Sequence, residues 1–270
     1  PDFTPPVARR VRRKIPDLPV LDYVSPSVWA WRSGRARKMT NYIDHVLGIL
    51  PFEPAAYIRL GGPVCTYVGH PLVSKISLAK QAAVAEHNSE APMLLVMPGS
   101  RSSEVGRLLG PFGDAVALLA EQSPGLRVEI PAVPHLKQHI QREIAHWPVR
   151  PALLTGEEAK FAAFSRADAA LVASGTATLE LALWGIPMVV GYRLDPIARR
   201  FKWLGNVSSI VLPNLILEEN VIPEYIDEAC TGPVLSSAIL PLLQKKAGYQ
   251  MQIKAFERLQ DLCSVAPHSP

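Results

Sequence analysis

Two glycine-containing turns in this chain each follow a short apolar run, and their residue types suit the binding of phosphate groups. The run Ala169–Ala173 ends in Ser174, Gly175 and Thr176, after which apolar residues return with helical spacing. Glycine lets the backbone approach a ligand closely, and the amides of the first helical turn point toward an anion. The hydroxyls of Ser174 and Thr176 are also typical helix caps. This segment predicts a strand, a tight turn and a helix whose start binds phosphate.

A second turn of the same kind lies upstream and carries an arginine. The apolar run Met93–Met97 is followed by Gly99, Ser100 and Arg101. A guanidinium presents parallel N–H donors that match a diphosphate. A strand–glycine–helix turn is also a common plain connection, so the prediction depends on the pair of turns. Since parallel strands end at one edge of an open sheet, the two turns together predict a nucleoside diphosphate site.

Glu180 is the residue that we expect to bind the ribose of such a nucleotide. It follows Thr176 by one helical turn, which places both residues on the same face of the helix. A carboxylate at that position accepts hydrogen bonds from sugar hydroxyls.

The composition is that of an ordinary globular protein, with 270 residues, 48% hydrophobic residues and a net charge of +4. The length suits one large domain or two small ones, and no apolar run reaches the roughly 18 residues that a membrane helix needs. Three widely spaced cysteines, Cys65, Cys230 and Cys263, indicate neither a disulfide framework nor a zinc site. His135 and His139 share a helix face but lack a third ligand. We therefore predict no metal and no cofactor.

Basic residues lie in three clusters. The cluster within 196–204 mixes cations with aromatic side chains, a composition typical of a short helix that rests on an anionic lipid surface. Its members are Arg199, Arg200, Phe201, Lys202 and Trp203. The clusters at 9–14 and 32–38 fit solvated helix faces equally well. Because no nucleic-acid-binding motif is present, we expect an anionic membrane surface as partner and no nucleic acid.

Apolar runs alternate with amphipathic segments, which predicts parallel sheets with crossover helices. The predicted strands are Val20–Tyr23, His45–Leu50, Val64–Val68, Met93–Met97, Arg127–Ile130, Ala152–Leu154, Ala169–Ala173 and Met188–Val190. The predicted helices are Val7–Lys14, Arg35–Ile43, Glu53–Leu60, Gly113–Glu121, Leu136–Ala145, Glu158–Ser165, Thr178–Trp184, Pro223–Ala229, Val234–Lys245 and Tyr249–Leu262. We expect an incomplete first domain over 1–72, a complete nucleotide-sugar-binding domain over 73–245, and a C-terminal helix and tail over 246–270.

Several segments resemble the lipid-A-disaccharide synthase family, in that family's order and over essentially the whole chain. The most specific is Asp22–Arg32; the others are Leu50–Glu53, Val68–Pro71, Pro98–Arg101, Ser174–Thr176, Val190–Arg193 and Leu212–Asn214. The resemblance implies an α/β GT-B glycosyltransferase with two Rossmann-like, doubly wound parallel sheets facing a cleft. It implies metal-independent, inverting transfer of 2,3-diacylglucosamine from its UDP carrier to 2,3-diacylglucosamine 1-phosphate, with release of UDP. It also implies a cytoplasmic protein, peripheral on the inner membrane of a Gram-negative bacterium.

The resemblance implies roles for further residues. Tyr192 and Asn214 would join the two turns in UDP binding. The acceptor or its acyl chains would contact Ser25, Ser27, Trp29, Trp31 and Arg32, although core packing is the favoured role for at least one of the tryptophans. The family motif has its general base two positions before Pro1, so Asp2 is only a neighbour of the catalytic position. We therefore expect this chain alone to bind UDP without making the disaccharide.

Two other functions stay open at this level. UDP-N-acetylglucosamine 2-epimerases share the architecture and the ribose-binding glutamate, but that family has Asp-Ser-Gly-Gly where this chain has Ala173–Thr176. The chain could also be a non-catalytic fragment that binds a nucleotide sugar or a membrane surface, which a turnover assay distinguishes. A homodimer likewise stays open, since the sequence does not determine the oligomeric state.

Overall fold

A computed structural model describes residues 4–30, 33–82, 91–195 and 208–265, which fall into two units. Of these residues, the first unit contains 4–71, Ser208 and 261–265, and the second contains 72–195 and 209–260. Within the described residues, the chain passes from one unit to the other between Pro71 and Leu72, between Ser208 and Ser209, and between Gln260 and Asp261. The segment that we set apart at 246–270 forms no unit of its own within the described residues, because it belongs to the second unit as far as Gln260.

The first unit contains a three-stranded parallel sheet in the order β1-β2-β3. Its strands are β1 (Leu21–Tyr23), β2 (His45–Gly48) and β3 (Val64–Tyr67), and its helices are α1 (Thr4–Lys14), α2 (Gly34–Met39) and α3 (Glu53–Leu60). Apolar side chains from the helices cover the sheet, with Met39, Val46 and Tyr57 almost fully buried. The sheet therefore fixes the loops that follow β1 and β2.

The second unit contains a six-stranded parallel sheet in the order β6-β5-β4-β7-β8-β9. Its strands are β4 (Met93–Met97), β5 (Arg127–Ala132), β6 (Ala152–Thr155), β7 (Ala169–Ala173), β8 (Met188–Tyr192) and β9 (Glu224–Ile226). Its helices are α4 (Leu72–Ala82), α5 (Ser102–Gln122), α6 (Lys137–Ile144), α7 (Glu157–Arg166), α8 (Thr176–Trp184), α9 (Leu212–Leu217), α10 (Gly232–Leu243) and α11 (Ala247–Cys263), which continues into the first unit. Short 3₁₀ turns lie at Pro134–Leu136 and Asp227–Ala229.

The centre of this sheet is a topological switch point. From β4 the chain builds outward through β5 to β6, and then returns to place β7, β8 and β9 on the other side of β4. The loops that follow β4 and β7 therefore diverge to opposite sides of the sheet and leave a crevice between them, which is where open α/β sheets bind ligands. Both strands are buried along nearly their whole length, so this crevice has a rigid floor.

The fold is the Rossmann-like α/β arrangement that the alternation predicts, with some differences in its elements. Helix α5 begins at Ser102, eleven positions before the predicted start at Gly113. Two glycines and Pro111 lie in the part that we did not predict, but the helix continues through them because its buried face, which includes Leu108 and Phe112, packs into the core. Tertiary packing thus outweighs local propensity here.

Other differences lie at the boundary and at one edge of the second sheet. We predicted no helix at 72–82, where α4 lies. The predicted helix Pro223–Ala229 is wrong: this segment forms strand β9 and a 3₁₀ turn. A strand of three residues is too short to show alternation, and β9 exists because β8 offers it a parallel partner.

Candidate functional site

A cleft of about 500 Å³ lies in the second unit, at the carboxyl ends of β4, β5, β6 and β7. Seven of the nine residues predicted to bind UDP line it: Gly99, Ser100, Arg101, Ser174, Gly175, Thr176 and Glu180. The end of β5 and the residues that follow it supply another wall through Pro131–Pro134, which sequence reasoning missed. The structure thus brings the two glycine turns together at the switch point of the sheet.

The two glycines are required by the backbone of these turns. Gly99 has φ 113° and Gly175 has φ 155°, conformations that side-chain-bearing residues rarely adopt. At Gly99 there is also no room, since an added Cβ would lie 2.9 Å from an oxygen of Glu104. The backbone at both turns is therefore open to close approach by a ligand.

The helix start after β7 differs in detail from the prediction. Ser174 does not cap α8, because its hydroxyl donates instead to the carbonyl of Ile210 at 2.6 Å. Thr176 is the first helical residue, and no side chain in the described part of the chain caps this end. The Ser174 hydroxyl thus anchors the turn to a neighbouring loop, while the first amides of α8 border the cleft.

Arg101 stands at the start of α5, where Glu104 orients it. One terminal nitrogen of the guanidinium donates to a Glu104 oxygen at 2.6 Å. The Arg101 side chain is 76% exposed, whereas that of Glu104 is only 8% exposed. A buried carboxylate thus holds one edge of the guanidinium, and the exposed remainder is available for an anion in the cleft.

Glu180 is not alone in the cleft. Its two carboxylate oxygens accept hydrogen bonds from the ammonium of Lys160, at 3.2 and 3.1 Å. Lys160 was missed because nothing in the spacing of the two residues, 20 positions apart, connects them. Each of the two residues lies one turn into a helix that follows a strand. This shared position is the feature of the sequence that could have indicated Lys160 as a second residue of the cleft.

Tyr192 and Asn214 do not line the cleft. Tyr192 ends β8 and is half-buried; burial raises the pKa of its phenol, and the carboxylate of Glu104 adds to that rise. Asn214 is 2% exposed, and its amide is turned into the protein.

The Asn214 side chain is held by protein groups, and its role in UDP binding stays a prediction. Its carbonyl oxygen accepts from the amides of Val221 and Ile222, at 3.1 and 2.9 Å. Its NH₂ group donates to the carbonyl of Ile222 and to Glu224, both at 2.9 Å. Glu224 also accepts from the amide of Ile210, whose carbonyl receives the Ser174 hydroxyl. Asn214 thus supports the turn at Ser174 through Glu224 and Ile210.

In the first unit, Ser25 is turned inward rather than toward a ligand. Its hydroxyl donates to the carbonyl of Pro26 at 2.9 Å and shares a hydrogen bond of 2.9 Å with the buried Tyr57 hydroxyl. The preceding Val24 has φ 69°, a strained conformation for a β-branched residue. The Ser25 hydroxyl is therefore bonded within the protein, and its contact with the acceptor stays a prediction.

Trp29 packs edge-on against Phe52 with ring centroids 4.9 Å apart. This contact is of the core-packing kind that we expected for at least one of the two tryptophans. Ser27 is exposed on the same loop. The remaining predicted site residues lie outside the described part of the chain: Asp2, Trp31, Arg32, Arg199, Arg200, Lys202 and Trp203.

Two features are absent from the described residues. None of their helices combines the length and the apolar character needed to cross a membrane. They also hold no group of three or more histidine, cysteine, aspartate or glutamate side chains arranged for a metal ion.

Comparison with solved structures shows the fold. A UDP-N-acetylglucosamine 2-epimerase from Neisseria meningitidis, bound to UDP-N-acetylglucosamine, matches with a TM-score of 0.62 and 12% identity, over 94% of this chain and 71% of that one. MurG from Acinetobacter baumannii matches with a TM-score of 0.54 and 16% identity, over 96% of this chain and 69% of that one. Identities this low show the shared Rossmann-like GT-B fold and nothing about the substrate.

Comparison of sequences is more specific. The family described as lipid-A-disaccharide synthetase matches residues 1–265. The lipid-A-disaccharide synthase of Nitrobacter winogradskyi is 49% identical over all of this chain and 69% of its own length. That of Bradyrhizobium diazoefficiens is 47% identical over all of this chain and 70% of its own length. These matches do not favour the epimerase alternative, and the chain belongs to the lipid-A-disaccharide synthetase family, glycosyltransferases of lipid A biosynthesis.

Proposed function

We propose that this glycosyltransferase holds UDP-2,3-diacylglucosamine in the cleft of the second unit and transfers its sugar to 2,3-diacylglucosamine 1-phosphate. The observation that carries the proposal is the convergence of both glycine turns, Arg101 and Glu180 on one cleft at the switch point. The names of the relatives support the choice of the lipid substrates.

The diphosphate would lie between the two turns. Backbone amides at the starts of α5 and α8 and the guanidinium of Arg101 surround that position. As the bond between sugar and phosphate breaks, negative charge grows on the departing UDP. Donors that are already fixed in place stabilise this charge without reorganisation, which is the effect that lowers the barrier.

The nucleoside would extend from the diphosphate along the cleft. Glu180 lies one turn into α8, within reach of ribose hydroxyls, and Pro131, Ala132 and Val133 offer an apolar wall for a flat pyrimidine. The cleft volume of about 500 Å³ suits a nucleotide, and the acyl chains of the donor would project outside it.

Donor binding tests this proposal. Isothermal titration calorimetry should show UDP binding to the wild-type chain, and UDP-2,3-diacylglucosamine in detergent micelles should displace it. Glu180→Gln should weaken UDP while leaving inorganic pyrophosphate unchanged, since the pyrophosphate has no ribose. Equal losses for both ligands, or binding of the epimerase substrate UDP-N-acetylglucosamine as tightly as of the diacylated donor, would contradict the assignment.

We also propose that the protein works peripherally at an anionic membrane surface, on the cytoplasmic side, and that the outer face of α1 and α2 contributes to the contact. A groove there is lined by Arg9, Arg12, Arg13, Lys38, Asn41 and Tyr42. The Arg12 guanidinium is paired with Asp44, and that of Arg9 lies over the Tyr42 ring at 4.7 Å. Exposed Val7 and Ile15 flank these cations, which suits an interfacial helix.

Cosedimentation with vesicles tests the membrane contact. Each cation near an anionic bilayer is worth about 1 kcal/mol, so replacing Arg9, Arg13 and Lys38 with Gln should weaken binding by about 3 kcal/mol, roughly 150-fold. Vesicles of phosphatidylcholine alone serve as the uncharged control. Unchanged binding to vesicles that contain phosphatidylglycerol would contradict a role for this face.

A further inference from the structure

We propose that Lys160 is the positioning residue of Glu180, and that the fixed pair makes the cleft prefer a ribonucleotide to the 2′-deoxyribonucleotide. The inference rests on the proposed binding of UDP in this cleft. It adds a residue and a specificity that neither the turns nor the family resemblance indicates.

The first observation is the geometry of the pair. The Lys160 nitrogen lies 3.2 Å from one carboxylate oxygen of Glu180 and 3.1 Å from the other. A single ammonium within hydrogen-bond distance of both oxygens holds the carboxylate group in place, because moving the group away lengthens both bonds. The two side chains are 18% and 14% exposed, and both line the cleft.

The second observation is that Lys160 is itself held from other sides. Its nitrogen lies 4.7 Å from the centre of the Phe161 ring and 5.7 Å from that of Phe164. The Glu157 carboxylate, one turn earlier in α7, lies 3.9 Å away. A long, flexible lysine is thus confined by two ring faces and a second carboxylate, and can act as a fixed donor.

The third observation is that aromatic packing joins the same two helices beside the ion pair. Phe161 of α7 stacks on Trp184 of α8, with centroids 5.6 Å apart and planes 8° from parallel. Phe164 meets Trp184 edge-on at 5.5 Å. Because Trp184 lies one turn beyond Glu180, these contacts set the distance between α7 and α8 at the level of the pair.

A fixed carboxylate has a consequence for the ligand. The 2′- and 3′-hydroxyls of ribose can each donate to one oxygen of Glu180, because each oxygen keeps a second lone pair beside the one that Lys160 occupies. A 2′-deoxyribose loses one of these bonds, and a carboxylate that is held by Lys160 cannot move to compensate. A hydrogen bond to a charged group corresponds to a preference of about tenfold or more.

The test is a set of titrations with UDP and 2′-deoxy-UDP, by calorimetry. The wild-type chain should prefer UDP by about tenfold. Lys160→Met should reduce this preference to less than about threefold, mainly by weakening UDP, and Lys160→Arg should restore most of it. Lys245→Met is the matched control, since it breaks an ion pair of similar length, to Asp168 at the opposite end of β7. It should leave the preference unchanged.

The results that would overturn the inference are distinct from those that would overturn the proposed function. If UDP binds and Lys160→Met keeps the tenfold preference, Lys160 does not position Glu180. If Lys160→Met tightens UDP, Lys160 competes with the ribose instead, which also overturns the inference. Lys160→Gln, which keeps a polar head, gives the same readout if the methionine variant fails to fold. If wild-type chain does not bind UDP at all, the proposed function fails, and the inference fails with it.

Discussion

Replacing Arg101 with alanine removes the one guanidinium that the described residues contribute to the lining of the cleft. Arg101 stands between the turn after β4 and the start of α5, beside the position proposed for the diphosphate. The substitution leaves the turn intact, because Gly99 and the amides of α5 do not depend on this side chain. Its effect therefore reports on the contact with the ligand.

The expected magnitude follows from the surroundings of the guanidinium. A hydrogen bond to a charged group is worth about 1.5 to 3 kcal/mol. Arg101 belongs near the low end of this range, because its side chain is 76% exposed and one nitrogen is already used by Glu104. A loss of about 1.5 kcal/mol corresponds to roughly a twelvefold weaker Kd for UDP.

Glu104 adds a second contribution that can be measured separately. In Arg101→Ala, the Glu104 carboxylate loses its 2.6 Å partner and stays almost buried near the diphosphate, which it then repels. The double variant Arg101→Ala/Glu104→Gln should therefore bind UDP more tightly than Arg101→Ala does. Arg101→Lys keeps the charge without the planar fork and should recover only part of the loss.

Titration calorimetry with UDP and with pyrophosphate measures these effects, with Arg127→Ala as the control at the opposite end of the sheet. Arg101→Ala should weaken both ligands to a similar degree, since both carry the diphosphate. An unchanged affinity for UDP would refute the position assigned to the diphosphate. A loss of affinity for UDP alone would indicate that Arg101 contacts the nucleoside instead.

Three predictions concern stability and are checked by urea denaturation of each variant. Asn214→Ala leaves buried polar groups at 221–224 without their partner and should cost about 3 kcal/mol; a cost below about 1 kcal/mol would contradict the structural role. Gly191→Ala places a methyl group 2.6 Å from the ring of Phe112 and should cost about 1 to 3 kcal/mol through overpacking, whereas an unchanged midpoint would show that the ring can move. Burial raises the pKa of the Glu53 carboxyl above its ordinary 4.5, so the folded state binds the carboxyl proton more tightly than the unfolded state does. Wild-type therefore loses stability as the pH rises from about 4.5 through the raised pKa. Glu53→Gln lacks this titration, so its stability relative to wild-type should increase with pH above about 4.5, and a constant difference would contradict the pKa shift.

The sequence predicts the central strands well because their signal is local. Strands β4 and β7 match their predicted bounds, since each is a continuous apolar run that ends at a glycine turn. Strand β9 and helix α4 were missed, because β9 forms only where β8 gives it a partner and α4 shows little contrast between its faces. An element that forms only because of its neighbours shows little of its own periodicity in the sequence, and is therefore hard to predict.

The same distinction applies to the cleft. Gly99 and Gly175 could be identified because a turn needs glycine whatever surrounds it. Lys160, the partner of Glu180, could not be identified from the sequence, because the packing of two helices brings it to Glu180. Asn214 shows the limit of motif resemblance, since a motif names the residue without saying whether its side chain faces the ligand or the protein.

A crystal structure of the chain with UDP tests the central claim most directly. The account predicts diphosphate density between the turns at Gly99 and Gly175, within hydrogen-bond distance of the Arg101 guanidinium and the first amides of α8. It also predicts both ribose hydroxyls on Glu180, with the Lys160 ammonium still bridging the two carboxylate oxygens. UDP bound outside this cleft, or a cleft left empty at a UDP concentration that saturates the calorimetric signal, would contradict it.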